Sequence, residues 1–360
     1  MKKILVLFFL FLLLSPLKVE ASLDSASSYI LMDMDTKRVL LTKDPHERRL
    51  IASITKIMTS IVALESNKLD DIIKVDDSIL KATGSGIYIE VGEEITLKDL
   101  LYGLMLRSGN DAAIMIANYV SGSEEEFVNK MNEKAKKLGM NNTSFVNSSG
   151  LDNGKTGNYS TCYDMALLTS YAMQNEEYRK IVSTKKYVVK TNYKTYVWHN
   201  KNKLLSLDYV NGGKTGFTKN ARRTLVTTAN LNNMNLVVVT LNDPDDWDTH
   251  KKLYNYAKEN YQSYFVLSKK SFKVVDDLYY DDLYIKDNLY LTLKPKEADK
   301  LINKIFLEKK KYYKNDEIVG RSEIYLDNKL LTKINIYVKK KEKLPKKNFF
   351  EKVIEWVKSW

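Results

Sequence analysis

Ser53 and Lys56 are the first residues whose types and spacing could do chemistry together. They open a segment in which Ile57, Met58, Ile61, Val62 and Leu64 recur as on one face of a helix, with Ser53 at or near its N-terminus. One helical turn puts the hydroxyl and the amine on neighbouring sites, the spacing of a nucleophile and its base. The chain has only three histidines, His46, His199 and His250, none in a triad-like setting, so Lys56 is the economical base. A lysine near pKa ~10.4 is almost wholly protonated at neutral pH, so Lys56 is expected to be shifted down by burial and by the charge of Lys214. Alone, Ser-x-x-Lys reads as a helix cap followed by a solvated lysine. Two further motifs bear on the choice. Ser108–Gly109–Asn110 falls in a turn between helices, and Lys214–Thr215–Gly216 falls at a strand.

These residues need elements to hold them. Ser28–Met32 and Arg38–Thr42 read as a hairpin around Asp33–Lys37. After the Ser53 helix come the glycine-rich Gly84–Ser85–Gly86 and a short strand, Ile87–Ile89. Thr96 caps a helix over Leu100–Leu106, Asn110 and Asp111 open another, and Glu124–Leu138 is a third, ended by Gly139. Lys185–Lys190, Tyr196–His199, Val210–Gly216, Thr224–Thr228 and Asn235–Leu241 read as strands, and Lys251–Tyr261 as a closing helix. Two early strands, three late ones and the helices between predict an α/β (α+β) fold, one mainly antiparallel sheet flanked by helices with a helical subdomain. From Phe272 onward short alternating runs predict a separate small all-β domain: Phe272–Val275, Leu289–Leu293, Ile305–Leu307, Ser322–Leu326 and Ile334–Val338, the last two joined by a turn at Asp327–Asn328.

The 360 residues, 44% hydrophobic and 28% charged, suit a globular protein of more than one domain. Met1–Lys2–Lys3, the apolar run Ile4–Leu14 and Val19–Glu20–Ala21 have the three-part layout of a secretory signal peptide, cut after Ala21. Its removal takes Lys2, Lys3, Lys18 and Glu20 and changes the net charge from +12 to +10. A basic exported chain faces anionic membrane or wall polymers, and nucleic acid is the wrong partner. The single cysteine, Cys162, excludes an internal disulfide and reads as a packing residue. At the C-terminus, Phe349, Phe350, Val353, Ile354, Val357 and Trp360 share one face behind the lysine-rich 339–347. That is the pattern of an amphipathic helix lying in a membrane interface through residues 345–360. The expected division is 1–21 signal peptide, 22–262 catalytic domain, 263–341 small β-domain and 342–360 basic linker and anchor helix.

The three motifs in this order resemble those of penicillin-binding proteins and serine β-lactamases. The closer resemblance is to the low-molecular-mass serine D-alanyl-D-alanine carboxypeptidases. It runs through Ala52–Thr59, Leu104–Ala113, Asn147–Asp152, Ser160–Thr161 with Asp164–Ala166, and Gly213–Thr218. Glu323–Leu326 with Lys329–Leu330 resembles that family's β-domain. Lys155–Thr156–Gly157 repeats the third motif, but in a loop with no apolar strand beside it.

The resemblance implies that Ser53 forms an acyl-enzyme with a peptidoglycan stem ending in D-Ala-D-Ala, and that β-lactams acylate the same residue. It implies Lys56 as base, Ser108 as relay to the leaving amine, and Asn110 on the substrate backbone. Lys214 and Thr215 would bind the terminal carboxylate, Gly216 would let the substrate approach the strand, and the Ser53 and Phe217 N–H groups would form the oxyanion hole. No metal or other cofactor is implied. Which group first takes the proton stays open at this level. Ile51 stands where proline is common, and Arg222–Arg223 follow Ala221 where glycine is frequent. The arginines read as solvated, or else as positive potential near the substrate carboxylate. A class A β-lactamase would need a glutamate between the second and third motifs, and Gly150–Asn175 has none. A non-catalytic wall-binding module is the other alternative.

Overall fold

The computed structural model describes residues 25–269, 282–308 and 312–339. These fall into two compact units, one within Met1–Asn230 and Asn235–Glu259, the other within Leu231–Met234 and Asn260–Trp360. The signal-peptide segment, the Phe272–Val275 run and the amphipathic 345–360 segment lie outside the described residues.

The first unit is built on a five-stranded antiparallel sheet. Its strands are β1 (Ser28–Asp33), β2 (Val39–Lys43), β3 (Val210–Thr218), β4 (Arg222–Leu231) and β5 (Met234–Leu241), in the order β2-β1-β5-β4-β3. β1 is buried along its whole length and β5 nearly so, because helices cover both faces of the sheet and the strand runs are accordingly almost all apolar. β1 pairs with β5 from Ser28↔Leu241 to Asp33↔Leu236. At the far edge, β4 pairs with β3 so that Val226 faces Lys214 and Thr224 faces Gly216.

Between β2 and β3 the chain is mainly helical: α1 (Lys56–Leu64), α2 (Leu97–Tyr102), α3 (Asn110–Ser121), α4 (Glu124–Lys137), α5 (Cys162–Ala172) and α6 (Glu176–Ser183). α7 (Asp246–Asn260) follows β5. α1 is the core helix, with every residue from Lys56 to Leu64 buried. A hairpin of Lys186–Lys190 and Thr195–His199 precedes β3.

Three local expectations change. Ile87–Ile89 is an irregular stretch, broken by a φ of +62° at Tyr88, and the Asp111 carboxylate takes the N–H groups of Ile87 and Tyr88 that a strand partner would otherwise use. The short strands nearby are Ile72–Lys74 and Glu94–Thr96, paired with each other. The Thr96-capped helix gives way after Tyr102 to a π-helical turn, Gly103–Arg107. The closing helix begins at Asp246, with Asp246 and Asp248 in its first turn, where the helix dipole favours acidic side chains.

In the second unit, Gln262–Leu267 pairs with Leu289–Leu293, and a four-stranded antiparallel sheet runs in the order Asp282–Tyr284, Lys329–Lys339, Glu317–Leu326, Leu301–Leu307. Asp327 and Asn328 both have positive φ, 46° and 64°, as a two-residue hairpin turn requires. Among the described residues no helix is long and apolar enough to cross a membrane.

Candidate active site

Ser53 sits in a single 3-10 turn, Ala52–Thr55, that leads into α1. Ala52 has φ +48°, and the Ile51 carbonyl accepts a 3.0 Å bond from Thr224 Oγ1, so the turn is fastened to β4. Gly150 and Gly216 hold it from two sides. A Cβ on Gly150 would lie 1.9 Å from the Ala52 carbonyl oxygen, and one on Gly216 would lie 3.0 Å from the Ser53 nitrogen. Only glycine allows backbone to approach this closely. The edge of β3 therefore runs directly beside the Ser53 N–H, with Thr215 and Gly216 half-buried and Phe217 exposed.

Lys56 is fully buried, and its Nζ reaches three acceptors: Ser53 Oγ at 3.1 Å, Asn110 Oδ1 at 2.7 Å and the Ser149 carbonyl at 2.5 Å. Two of these cannot donate. A neutral amine has two hydrogens and one lone pair, so satisfying Asn110 and Ser149 aims the lone pair at the Ser53 hydroxyl. Burial first and then the Lys201 ammonium lower the Lys56 pKa to about 7, with the Asp111 carboxylate opposing both. The charge expected at Lys214 is thus replaced by that of Lys201. Lys214 is itself fully buried, and its pKa is driven well down by burial first and then by Lys56 and Lys201. A lysine that sheds its own charge is a poor source of positive potential.

Ser108 adopts φ +66° at the end of the π-helical turn, which points the chain back toward β3. Lys214 Nζ donates to Ser108 Oγ at 3.1 Å and to the Thr215 carbonyl at 2.7 Å. Asn110 is engaged inside the protein: besides accepting from Lys56, its amide donates to the Thr83 carbonyl at 2.5 Å, and its backbone N–H donates to Ser85 O at 2.7 Å. The motif spacing alone does not suggest this role as the orienter of Lys56. Ser53, Lys56 and Asn110 thus form one set of contacts and Ser108 and Lys214 a second, both beside the Thr215–Phe217 edge.

Three contributors were not read from the sequence: Lys201, whose backbone N–H bonds Leu106 O and whose Nζ lies 3.4 Å from Ser85 Oγ; the Ser149 carbonyl; and Asp111. The second Lys-Thr-Gly, at Lys155, lies in a loop where Asn153 Oδ1 accepts from the N–H groups of Lys155 and Thr156. Arg222 is exposed, whereas Arg223 is not simply solvated: it pairs at 2.6 Å with Asp246 and stacks over Trp247. Cys162 is buried, with its thiol pushed up to about 12 by burial.

Residues 17–245 match the family model described as D-alanyl-D-alanine carboxypeptidase. The chain belongs to the D-alanyl-D-alanine carboxypeptidase family. Residues 268–343 of this family member match the C-terminal domain of penicillin-binding protein 5. Its relatives include D-alanyl-D-alanine carboxypeptidase DacF of Bacillus subtilis, 36% identical over 66% of this chain and 64% of DacF. DacC of Escherichia coli is 37% identical over 63% of this chain and 59% of DacC. The matches thus span about three fifths of the length of these two curated relatives. Among solved structures, penicillin-binding protein 5 from Haemophilus influenzae superposes with TM-score 0.71 at 27% identity, over 88% of this chain and 96% of that one. The family read from the motifs is the family found by comparison.

Proposed function

We propose that this carboxypeptidase-family chain removes the terminal D-alanine from peptidoglycan stems through an acyl-enzyme on Ser53, and that penicillin traps the same intermediate. The observation that carries the reading is the lone pair of Lys56, aimed at Ser53 Oγ by two acceptors that can only accept. Lys56 takes the Ser53 proton as Oγ bonds to the carbonyl carbon of the D-Ala-D-Ala link. The Ser53 and Phe217 N–H groups would receive the oxyanion, since Gly216 brings that edge against the Ser53 nitrogen. As the C–N bond breaks, Lys56 gives that proton up and Ser108 would relay it to the departing amine, so D-alanine leaves with Lys56 neutral again. Water then adds to the ester carbonyl and passes a proton to the neutral Lys56, which hands it to Oγ as the C–Oγ bond breaks to free Ser53. Lys214, whose charged form an entering anion favours, and Thr215 would hold the substrate's terminal carboxylate. Asn110 would keep Lys56 oriented and face the substrate backbone.

We assign the catalytic domain to residues 22–262 and the β-domain to 263–341. Export after Ala21, and attachment to the outer face of the membrane through residues 345–360, follow from their sequence patterns. Incubation with penicillin and intact-mass measurement tests the core of this reading. A single adduct is expected on the parent and none on Ser53→Ala; an adduct that persists in the variant defeats the acyl-enzyme. Release of D-alanine from a muramyl pentapeptide separates hydrolase from silent binder.

A further inference from the structure

One of the two acceptors that aim Lys56, the Ser149 carbonyl, belongs to residues 147–150, a strap between α4 and α5 with no regular structure of its own. A main-chain carbonyl can direct an amine only if its peptide is held still. Two successive carbonyls of the strap meet α1: Ser148 O accepts from Thr59 Oγ1 at 2.6 Å, and Ser149 O accepts from Lys56 one turn earlier on the same helix face. The other side of Ser148 is gripped by Glu124 in the first turn of α4, whose Oε1 accepts from the Ser148 N–H at 2.9 Å and from its hydroxyl at 2.6 Å. Ser148 is fully buried, so both donors would stand unsatisfied without that carboxylate.

Building on the acylation reading above, we propose that Glu124 is a positioning residue for that step: it clamps Ser148 and so fixes the Ser149 carbonyl that orients the Lys56 amine. Asn110 alone leaves the amine free to rotate about its remaining bond, and the lone pair then leaves Ser53 for part of the time. The effect falls on the rate of attack once substrate is bound. The edge of β3 that receives the substrate is built by other residues.

The arrangement makes a distinctive prediction about substitutions. Both bonds from Ser148 run to the same oxygen, Oε1. A glutamine carbonyl can accept both, so Glu124→Gln keeps the clamp while removing the charge. Glu124 also edges a cavity of about 280 Å³ that reaches Asn110 and Ser149, so a role for its charge across that space is the competing explanation.

The test is the full chain reacting with a fluorescent penicillin over a range of concentrations, which separates the saturation constant from the limiting acylation rate, read on the high-pH plateau where Lys56 is neutral. Glu124→Ala is expected to lower the limiting rate at least tenfold with little change in the saturation constant, and to reach full adduct stoichiometry at long times. Glu124→Gln is expected to stay within about threefold of the parent. Parental rates in Glu124→Ala overturn the proposal, and so does a Glu124→Gln as slow as Glu124→Ala, which would assign the effect to charge. Should Glu124→Ala not fold, Ser148→Ala, which removes one of the two clamp bonds, is expected to slow the limiting rate severalfold, and no change there overturns the proposal. Absence of any Ser53 adduct on the parent would instead defeat the acylation reading itself.

Discussion

Lys56 is held at a pKa of about 7 by burial and then by Lys201, and this can be read directly in the rate of acylation. If the neutral amine is the base, the rate follows its deprotonated fraction: about one in eleven at pH 6, one half at pH 7 and ten in eleven at pH 8. The perturbation is Lys201→Gln, one atom shorter, which keeps a polar end while removing the charge. An ammonium acting on a buried one from the water-facing side of a site is worth ~1 kcal/mol, about 0.7 on the pH scale. Removing a like charge makes protonation of Lys56 easier, so the midpoint moves alkaline, from about 7 toward the upper sevens. At pH 7 the neutral fraction falls from about one half to about one sixth, roughly threefold in rate, while the plateau above pH 9 is unchanged. Lys201→Arg, which keeps the charge, leaves the midpoint in place.

The assay is the second-order rate of a fluorescent penicillin with the full chain between pH 5.5 and 9.5, scored by covalent label on Ser53. Low ionic strength gives the larger difference between Lys201→Gln and the parent, because the Lys201 side chain reaches solvent and salt screens it. A parental profile flat from pH 6 to 8 would refute Lys56 as the titrating base. A Lys201→Gln profile that overlays the parent would refute the electrostatic role of Lys201 and leave burial as the whole cause.

Gly216→Ala is expected to slow acylation more than tenfold, since its Cβ would fall 2.3 Å from Thr224 Oγ1 and 3.0 Å from the Ser53 nitrogen; the rate of penicillin labelling checks this. His250 is buried between Thr227 and Thr240, and burial lowers its pKa to about 3 from 6.5. Its stabilising contribution is therefore complete above pH 6.5 and lost as pH falls toward 3, as much as about 5 kcal/mol, so His250→Gln is expected to flatten the acid limb of stability measured by urea titration. Arg223→Ala strands the buried Asp246 carboxylate and is expected to cost about 1–3 kcal/mol in the same titration, with the acylation rate unchanged.

How much of this was legible in the sequence follows from what kind of group each contributor uses. The sheet and hairpins were legible because alternation and apolar runs are properties of residue type, and Ser53, Lys56, Ser108, Asn110 and Lys214 were legible as a candidate site because their side chains bear polar and ionisable groups within motifs of short fixed spacing. The strand expected at Ile87–Ile89 failed for the same reason in reverse: its apolar residues match a strand, but a carboxylate 23 or 24 positions away takes the backbone donors, and no local pattern records that. The base is oriented partly by a carbonyl at Ser149, a group that every residue possesses, so its position is written in whatever restrains the strap. Those restraints include Thr59, the Asn147 side chain, Gly150, whose φ of +84° and 1.9 Å approach to Ala52 exclude any other residue, and Glu124, a charge that in sequence looks like ordinary N-terminal helix decoration. Lys201 is likewise one of many lysines in a basic chain until the fold sets its ammonium near Lys56. The motifs thus name the atoms that react, while the pKa and direction of the base are set by residues whose types are unremarkable. Two chains with the same three motifs can therefore differ in acylation rate through positions that a motif comparison does not weigh.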